Sequence, residues 1–197
     1  MRFDQKKILV TGGSRGIGRA IATRFAAAGA QVAIHYGSNH EAADRAIKNL
    51  EGTGHILCSG DVAQPETTQR IVRETVEKLG GLDVLVNNAG IFEAHPVDDV
   101  TFDDWQLAWQ QTLAVNLTGP ANLCWQAIDH MRHNGGGRII NVSSRGAFRG
   151  EPRCPAYGAS KAGLNAMTQS LAQRVAPYGI FVSAVAPGFV ETDMASK

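Results

Sequence analysis

The sequence predicts an α/β fold with a doubly wound parallel sheet in a single domain, and three observations support this prediction. Short runs rich in β-branched residues alternate strictly with segments of helical periodicity. A glycine-rich turn, Gly12–Gly18, separates the first such run from the first helix. The chain has 197 residues without an internal repeat or linker, so one domain covers residues 1–197.

Three strand–helix units are predicted in the first half of the chain. Pro65 occupies a first helical turn, where its missing N–H is tolerated, and Gly29 and Gly80 follow last turns, where a left-handed residue ends a helix. The predicted strands are Lys7–Thr11, Gln31–Tyr36 and His55–Cys58, and the predicted helices run from Ile17 to Gly29, Asn39 to Leu50 and Pro65 to Leu79.

The second half continues the alternation with longer helices. One helix is expected over Thr101–Arg132, and the tryptophans on one of its faces are expected to pack or to contact a second subunit. Glycines and prolines predict an irregular surface loop over Ser143–Pro155. The remaining predicted elements are the strands Asp83–Asn87, Arg138–Val142 and Ile180–Val185, a loop over Asn88–Val100, and a helix beginning at Pro155.

Composition argues against several classes of function. A net charge of +1 provides no field for nucleic acid or anionic lipid. There is no apolar run of about 18 residues and no secretory leader, so we expect a cytoplasmic protein without a membrane segment. Cys58, Cys124 and Cys154 are odd in number and far apart, which suits reduced thiols and matches no metal-ligand spacing. No metal is expected.

Polar and glycine-rich segments follow five of the six predicted strands. Ligands of open parallel sheets bind beyond the carboxyl ends of the strands, so we expect these segments to form one ligand site. They are Gly12–Gly18 after the first strand, Asp61 after the third, Asn88 after the fourth, Ser143 and Ser144 after the fifth, and Pro187–Gly188 after the sixth.

Tyr157 and Lys161 lie four residues apart in a predicted helix, so both side chains project from one face. A free tyrosine has a pKa near ~10, whereas a general acid or base works best with a pKa near the operating pH. A neighbouring ammonium favours the phenolate, and a cationic bound cofactor adds to that effect. The pair predicts an acid–base group, although its spacing alone also fits a surface tyrosine and lysine.

The glycine-rich turn predicts a nucleotide site. Gly12, Gly16 and Gly18 connect a strand to a helix, so backbone N–H groups can meet a pyrophosphate, although a tight turn also needs glycine without any ligand. NAD sites of this architecture place a carboxylate at the end of the second strand, and His35–Asn39 has none. Arg15 can instead pair with a 2′-phosphate, which favours NADP over NAD.

Taken together, the motifs resemble those of the short-chain dehydrogenases/reductases. The resemblance implies a Rossmann fold and an oxidoreductase similar to 3-oxoacyl-[acyl-carrier-protein] reductases and glucose dehydrogenases. It implies that Tyr157 is the general acid/base and that Lys161 lowers its pKa and holds the nicotinamide ribose. It also implies that Ser144 binds the substrate oxygen and that Asn116 supports a proton-relay water. The motifs are Thr11–Gly18, Asn87–Gly90, Asn116, Ser144, Tyr157 with Lys161, and Pro187–Gly188, in the family's order and spacing.

We therefore expect an NADP-dependent enzyme that interconverts a small-molecule carbonyl and a secondary alcohol. The alternative is a non-catalytic NADP-binding sensor or scaffold. A nucleotide-sugar isomerase or dehydratase is disfavoured, because such relatives carry a GxxGxxG turn and a larger C-terminal domain. The expected cofactor contacts are Gly12, Ser14, Arg15, Gly16, Ile17, Gly18, Tyr36, Ser38, Asn39, Asp61, Val62, Asn88, Ala89, Gly90, Tyr157, Lys161, Pro187, Gly188, Val190 and Thr192.

The sequence departs from the family pattern at its C-terminal end. It stops at Lys197, shortly after the sixth predicted strand, where family members continue. We expect the C-terminal lid and edge strand to be missing, which would expose one edge of the sheet. In the family, dimers form through helices corresponding to residues 102–131 and 157–176, so a homodimer or homotetramer is expected.

Overall fold

The computed structural model describes residues 2–191 as a six-stranded parallel sheet between two layers of helices. The strand order is β3-β2-β1-β4-β5-β6, so the direction in which strands are added reverses between β1 and β4. Such a reversal opens a crevice at the carboxyl ends of the strands. The strands are β1 (Lys7–Val10), β2 (Gln31–Tyr36), β3 (Ile56–Ser59), β4 (Val84–Asn87), β5 (Gly137–Val142) and β6 (Ile180–Val185).

The helices begin and end where local chemistry satisfies their terminal backbone groups. The side chain of Asn39 accepts a hydrogen bond from the N–H of Ala42, and the left-handed Gly80 (φ 77°) ends a helix at Leu79. The helices are α1 (Gly16–Ala27), α2 (His40–Lys48), α3 (Pro65–Leu79), α4 (Phe102–Leu113), α5 (Gly119–His133), α6 (Gly146–Arg149) and α7 (Pro155–Val175), with a 3₁₀ turn at Ala176–Tyr178.

Alternate residues of the central strands face two separate cores. Ile8 and Val10 of β1 pack with Ala22 of α1, whereas Leu9 between them packs with Ile71 of α3 and with residues of α5. Burying one such aliphatic side chain contributes roughly 1.5–3 kcal/mol to folding. The strand therefore reads as a continuous apolar run, because both of its faces are covered.

The predicted single helix over Thr101–Arg132 is wrong in one respect. The segment contains α4 and α5, which are joined by a π-helical turn at Ala114–Thr118. Asn116 lies in that turn, fully buried, and its side chain bonds to the backbone of Ile91. This tertiary pairing holds the wider turn, and helical periodicity in the sequence carries no sign of it.

The predicted irregular loop over Ser143–Pro155 is also corrected, since it contains the short helix α6. Ser144 Oγ accepts a hydrogen bond at 3.0 Å from the N–H of Gly146, the first residue of that helix. The other predicted elements are present, with ends shifted by no more than two residues. Within residues 2–191, no helix is long and apolar enough to cross a membrane.

Candidate active site

A cleft of about 830 Å³ lies at the carboxyl ends of the strands, where the sequence predicts a ligand site. Its walls combine the turn after β1, the ends of β2 and β3, the loops after β4 and β5, and the start of α7. The predicted site residues that line it are Gly12, Ser14, Arg15, Gly16, Ile17, Ser38, Asn39, Asp61, Val62, Asn88, Ala89, Gly90, Ser144, Tyr157, Lys161, Pro187, Gly188 and Val190.

Within residues 2–191, three predicted site residues are not part of the cleft wall, namely Gly18, Tyr36 and Asn116. A fourth, Thr192, lies outside the described residues. A Cβ at Gly18 would overlap the carbonyl oxygen of Gly12, so Gly18 is required for packing within the turn. The Tyr36 hydroxyl hydrogen-bonds to Nδ1 of His40 at 2.8 Å. Asn116 lies behind the cleft, in the π-helical turn.

The turn after β1 has the geometry of an anion cradle. Gly12 is left-handed (φ 62°), and a Cβ there would lie 3.0 Å from Cα of Ala89. Arg15 precedes α1 with extended backbone, and within residues 2–191 its side chain makes no capping bond. The first N–H groups of α1 are therefore available at the positive end of the helix, which fits a pyrophosphate.

The end of β2 presents polar groups without a carboxylate. Arg15, Ser38 and Asn39 share this part of the cleft. The Asn39 side-chain oxygen is committed to capping α2, so Asn39 presents chiefly the N-terminus of that helix to the cleft. A cation, a hydroxyl and a helix N-terminus together suit an anionic group.

Lys161 is buried inside the cleft wall. Its Nζ donates a hydrogen bond to the carbonyl oxygen of Val142 at 2.8 Å, which fixes the side chain against β5. Burial lowers the pKa of Lys161 to about 8, because the charged ammonium is removed from water. The side chain is still mostly protonated at neutral pH.

Tyr157 lies next to Lys161, as predicted, with Nζ 5.7 Å from the centroid of the phenol ring. The expected lowering of its pKa is not seen in the protein alone and remains a prediction for the protein with a cationic cofactor bound. Burial raises the pKa of Tyr157, a hydrogen bond with Ser144 opposes that shift, and the Glu151 carboxylate adds to it. The ammonium faces the ring and the Val142 carbonyl, so removal from water is the larger effect.

Asn116 fixes the backbone of Ile91, the residue directly after the Asn87–Gly90 motif. Its Oδ1 accepts from the N–H of Ile91 at 2.8 Å, and its Nδ2 donates to the carbonyl oxygen of Ile91 at 2.9 Å. The Nδ2 also donates to Ser160 Oγ at 3.3 Å. The side chain is thereby committed to Ile91 and Ser160, and the predicted support of a relay water remains a prediction.

Sequence reasoning missed several residues of the cleft. His35 is buried beneath the glycine-rich turn. The Phe92 ring packs edge-on against the Tyr157 ring, with 4.8 Å between the ring centroids. The Glu151 carboxylate lies close enough to the phenol to raise its pKa. His35 had a detectable signal, because a histidine inside a buried strand needs hydrogen-bond partners. Phe92 and Glu151 lie in loops, where the sequence has no periodicity that predicts their positions. The missed lining residues are His35, Gly37, Gly60, Ile91, Phe92, Val115, Val142, Arg145, Glu151 and Phe189.

The chain matches a model of the short chain dehydrogenase family over residues 6–197. An uncharacterized oxidoreductase of Thermotoga maritima is 40% identical over 195 residues, which are 98% of this chain and 75% of that protein. A 3-oxoacyl-[acyl-carrier-protein] reductase of Synechocystis sp. is 38% identical over 189 residues, which are 94% of this chain and 74% of that protein.

A solved structure of similar fold contains a nucleotide. It is a short chain dehydrogenase from Burkholderia cenocepacia J2315 in complex with NADP, 43% identical, with a TM-score of 0.88. The match covers 98% of this chain and 78% of that one. The present chain thus spans about three quarters of the length of these relatives.

Proposed function

The chain belongs to the short-chain dehydrogenase family, and we propose that it interconverts a small-molecule carbonyl and a secondary alcohol with NADP, using Tyr157 as the acid–base residue. One observation carries the proposal. Ser144, Tyr157 and Lys161 line the same cleft as the anion cradle of the glycine-rich turn. A hydride source held by the cradle is therefore within reach of the proton source.

When bound, NADPH supplies the hydride. In carbonyl reduction, negative charge develops on the substrate oxygen, and the Tyr157 O–H delivers a proton to it. Ser144 Oγ accepts from the N–H of Gly146, and its own hydrogen, which bonds with Tyr157 in the protein alone, can turn to donate to the same oxygen. The raised pKa of Tyr157 keeps the phenol protonated, which suits the acid, and the Lys161 ammonium stabilises the phenolate that remains. Alcohol oxidation reverses these steps.

NADPH oxidation against a panel of ketones, 3-oxoacyl thioesters and sugars tests this activity. Tyr157→Phe removes only the hydroxyl, so we expect turnover to be abolished while NADPH still binds, as measured by fluorescence titration. Retention of more than about a few per cent of kcat would remove Tyr157 from the acid–base role. Tight NADPH binding by the wild type without turnover on any substrate would favour a sensor or scaffold.

The preference for NADP is supported by Arg15 and by the absence of a carboxylate at the end of β2. A charge-assisted hydrogen bond contributes roughly 1.5–3 kcal/mol, so we expect Arg15→Ala to weaken NADPH binding by about 10- to 100-fold. NADH binding should change little, since NADH lacks the 2′-phosphate. Tighter binding of NADH than NADPH by the wild type, with the same ranking in the variant, would contradict the proposal.

A further inference from the structure

The segment Ile91–His95 leads away from β4 and packs against the start of α7. We propose that His95 is a positioning residue for the reaction, because its imidazole caps the N-terminus of α7 and thereby fixes the turn that carries Tyr157. The inference rests on the proposed acid–base role of Tyr157.

The His95 imidazole is 2% exposed and has a partner at each nitrogen. Its Nε2 accepts a hydrogen bond from the backbone N–H of Ala156 at 3.1 Å. Its Nδ1 lies 2.8 Å from the carbonyl oxygen of Glu93 and donates to it. These partners select the neutral tautomer with the proton on Nδ1, because the Ala156 N–H can only donate.

The start of α7 depends on this bond. Helices leave their first N–H groups without intrahelical partners, and Pro155 at the first position has no N–H. The N–H groups of Tyr157 and Gly158 both donate to the carbonyl oxygen of Cys154. Cys154 supplies no side-chain cap within residues 2–191. The Ala156 N–H is thus satisfied by His95.

Other contacts make the imidazole a rigid support. The backbone N–H of His95 donates to the carbonyl oxygen of Arg153 at 2.8 Å. The imidazole packs against the Trp105 ring of α4, with 5.8 Å between the ring centroids. Earlier in the segment, Phe92 packs edge-on against the Tyr157 ring, and Ile91 is held by Asn116. The segment therefore supports Tyr157 through both its ring and its backbone.

The position of the cap suggests which kinetic parameter depends on it. Tyr157 lies in the first turn of α7, beside Ala156, whereas Lys161 lies one turn further in and is tied to β5. Loss of the cap loosens the first turn more than the second. Displacement of a reacting group by about 1 Å can reduce turnover by about 100-fold, so kcat should fall while cofactor binding is retained.

Substitutions at His95 can separate its two hydrogen bonds. His95→Gln places an oxygen near the position of Nε2 and can still accept from Ala156. His95→Asn places an amide near the position of Nδ1, so it can donate to Glu93 but does not reach Ala156. His95→Leu removes both bonds. We expect kcat to fall by about tenfold or more in the Asn and Leu variants and to stay within about threefold of wild type in the Gln variant.

The measurements are kcat and KM for a carbonyl substrate, the Kd for NADPH, and the Tm of each variant. Retained NADPH affinity in His95→Asn, with kcat restored in His95→Gln, is the expected result. The inference is overturned if His95→Asn has the kcat of wild type, or if the Asn and Gln variants lose kcat and NADPH affinity alike. If His95→Leu does not fold, the Asn–Gln comparison still decides. A wild-type protein without turnover, or an active Tyr157→Phe variant, would refute the proposed function instead.

Discussion

His35 joins two segments of the cofactor cleft through its ring nitrogens. Its Nδ1 accepts from the N–H of Gly12 at 3.3 Å, and its Nε2 donates to the carbonyl oxygen of Gly60 at 2.9 Å. Burial lowers the pKa of His35 from its ordinary value of 6.5. The neutral ring is the form that fits, because an imidazolium cannot accept from Gly12.

This lowered pKa predicts how stability depends on pH. Below about pH 6.5 the unfolded chain binds a proton at residue 35, whereas the folded protein resists it until the pH reaches its lower pKa. His35 therefore makes the free energy of unfolding decrease as the pH falls below that of the unfolded histidine. Urea unfolding at pH 7.5 and 5.5 should show a smaller decrease for His35→Gln than for wild type.

His133 provides a matched control for that experiment, because it is an exposed histidine at the end of α5. His133→Gln should leave the pH dependence of wild type unchanged. An equal decrease in the wild type and in His35→Gln would show that the two hydrogen bonds of His35 do not require the neutral ring.

Single residues also show where sequence reasoning stops. The proximity of Tyr157 and Lys161 followed from their four-residue spacing, and the structure confirms it. The direction in which the Tyr157 pKa shifts did not follow, since it depends on burial and on the charge of Glu151, which influences the phenol only in the folded chain. The cap at Ala156 joins residues 61 positions apart, beyond any local pattern.

At the scale of an element, the turn between β1 and α1 depends on Gly18. A Cβ there would overlap the Gly12 carbonyl and lie 2.5 Å from Nδ2 of Asn88. Because overpacking of this kind costs about 1–3 kcal/mol, we expect Gly18→Ala to lower the free energy of unfolding by that amount. NADPH affinity should also fall, since the distorted segment forms the anion cradle.

Gly37 is the control for Gly18, because it lines the same cleft and has space for a side chain. A Cβ at Gly37 would have nothing within 4 Å in the described part of the chain. Gly37→Ala should change the free energy of unfolding by less than about 0.5 kcal/mol in the same chemical denaturation experiment. Similar losses of stability in both variants would contradict the packing role assigned to Gly18.

The elements differ in how far the sequence reveals them. The strands were predictable because a strand covered on both faces leaves a continuous apolar run between turn residues. Helix α6, with four residues, is too short to show periodicity. The π-helical turn depends on bonds from Asn116 to Ile91, a residue 25 positions away, so no local signal specifies it.

At the scale of the whole molecule, large apolar side chains remain exposed on the helices expected to form a dimer. Leu107 of α4 is 51% exposed, and Trp125 of α5 is 65% exposed. Exposed apolar surface of this kind commonly marks a contact between proteins. We expect Trp125→Glu to shift the protein toward the monomer in size-exclusion chromatography with light scattering, because the interface would have to bury a charge.

Phe148 supplies the comparison for Trp125, since it is 76% exposed but lies on α6, outside the expected interface. Phe148→Glu should leave the molar mass in solution unchanged. A Trp125→Glu variant with the same mass as wild type would place the subunit contact elsewhere.

The overall architecture was more predictable than the contents of the cleft. Strict alternation of strands and helices specifies a parallel sheet, and a parallel sheet collects ligands at one edge, where the cleft of about 830 Å³ is found. The identity of the substrate is not encoded in this way. The cleft also contains loop side chains such as Phe92 and Glu151, whose positions only the folded chain defines.

The π-helical turn also limits how this chain can change in length. A π-helical turn closes at i+5 and so holds one residue more than an α-helical turn, and losing one codon here would narrow the turn while α5 kept its register with α4. Leu123 and Cys124, now buried, would stay in the core, but the wide turn that places Asn116 against Ile91 would be lost. We therefore expect natural selection to tolerate insertions and deletions in the exposed loops and to reject them at this position.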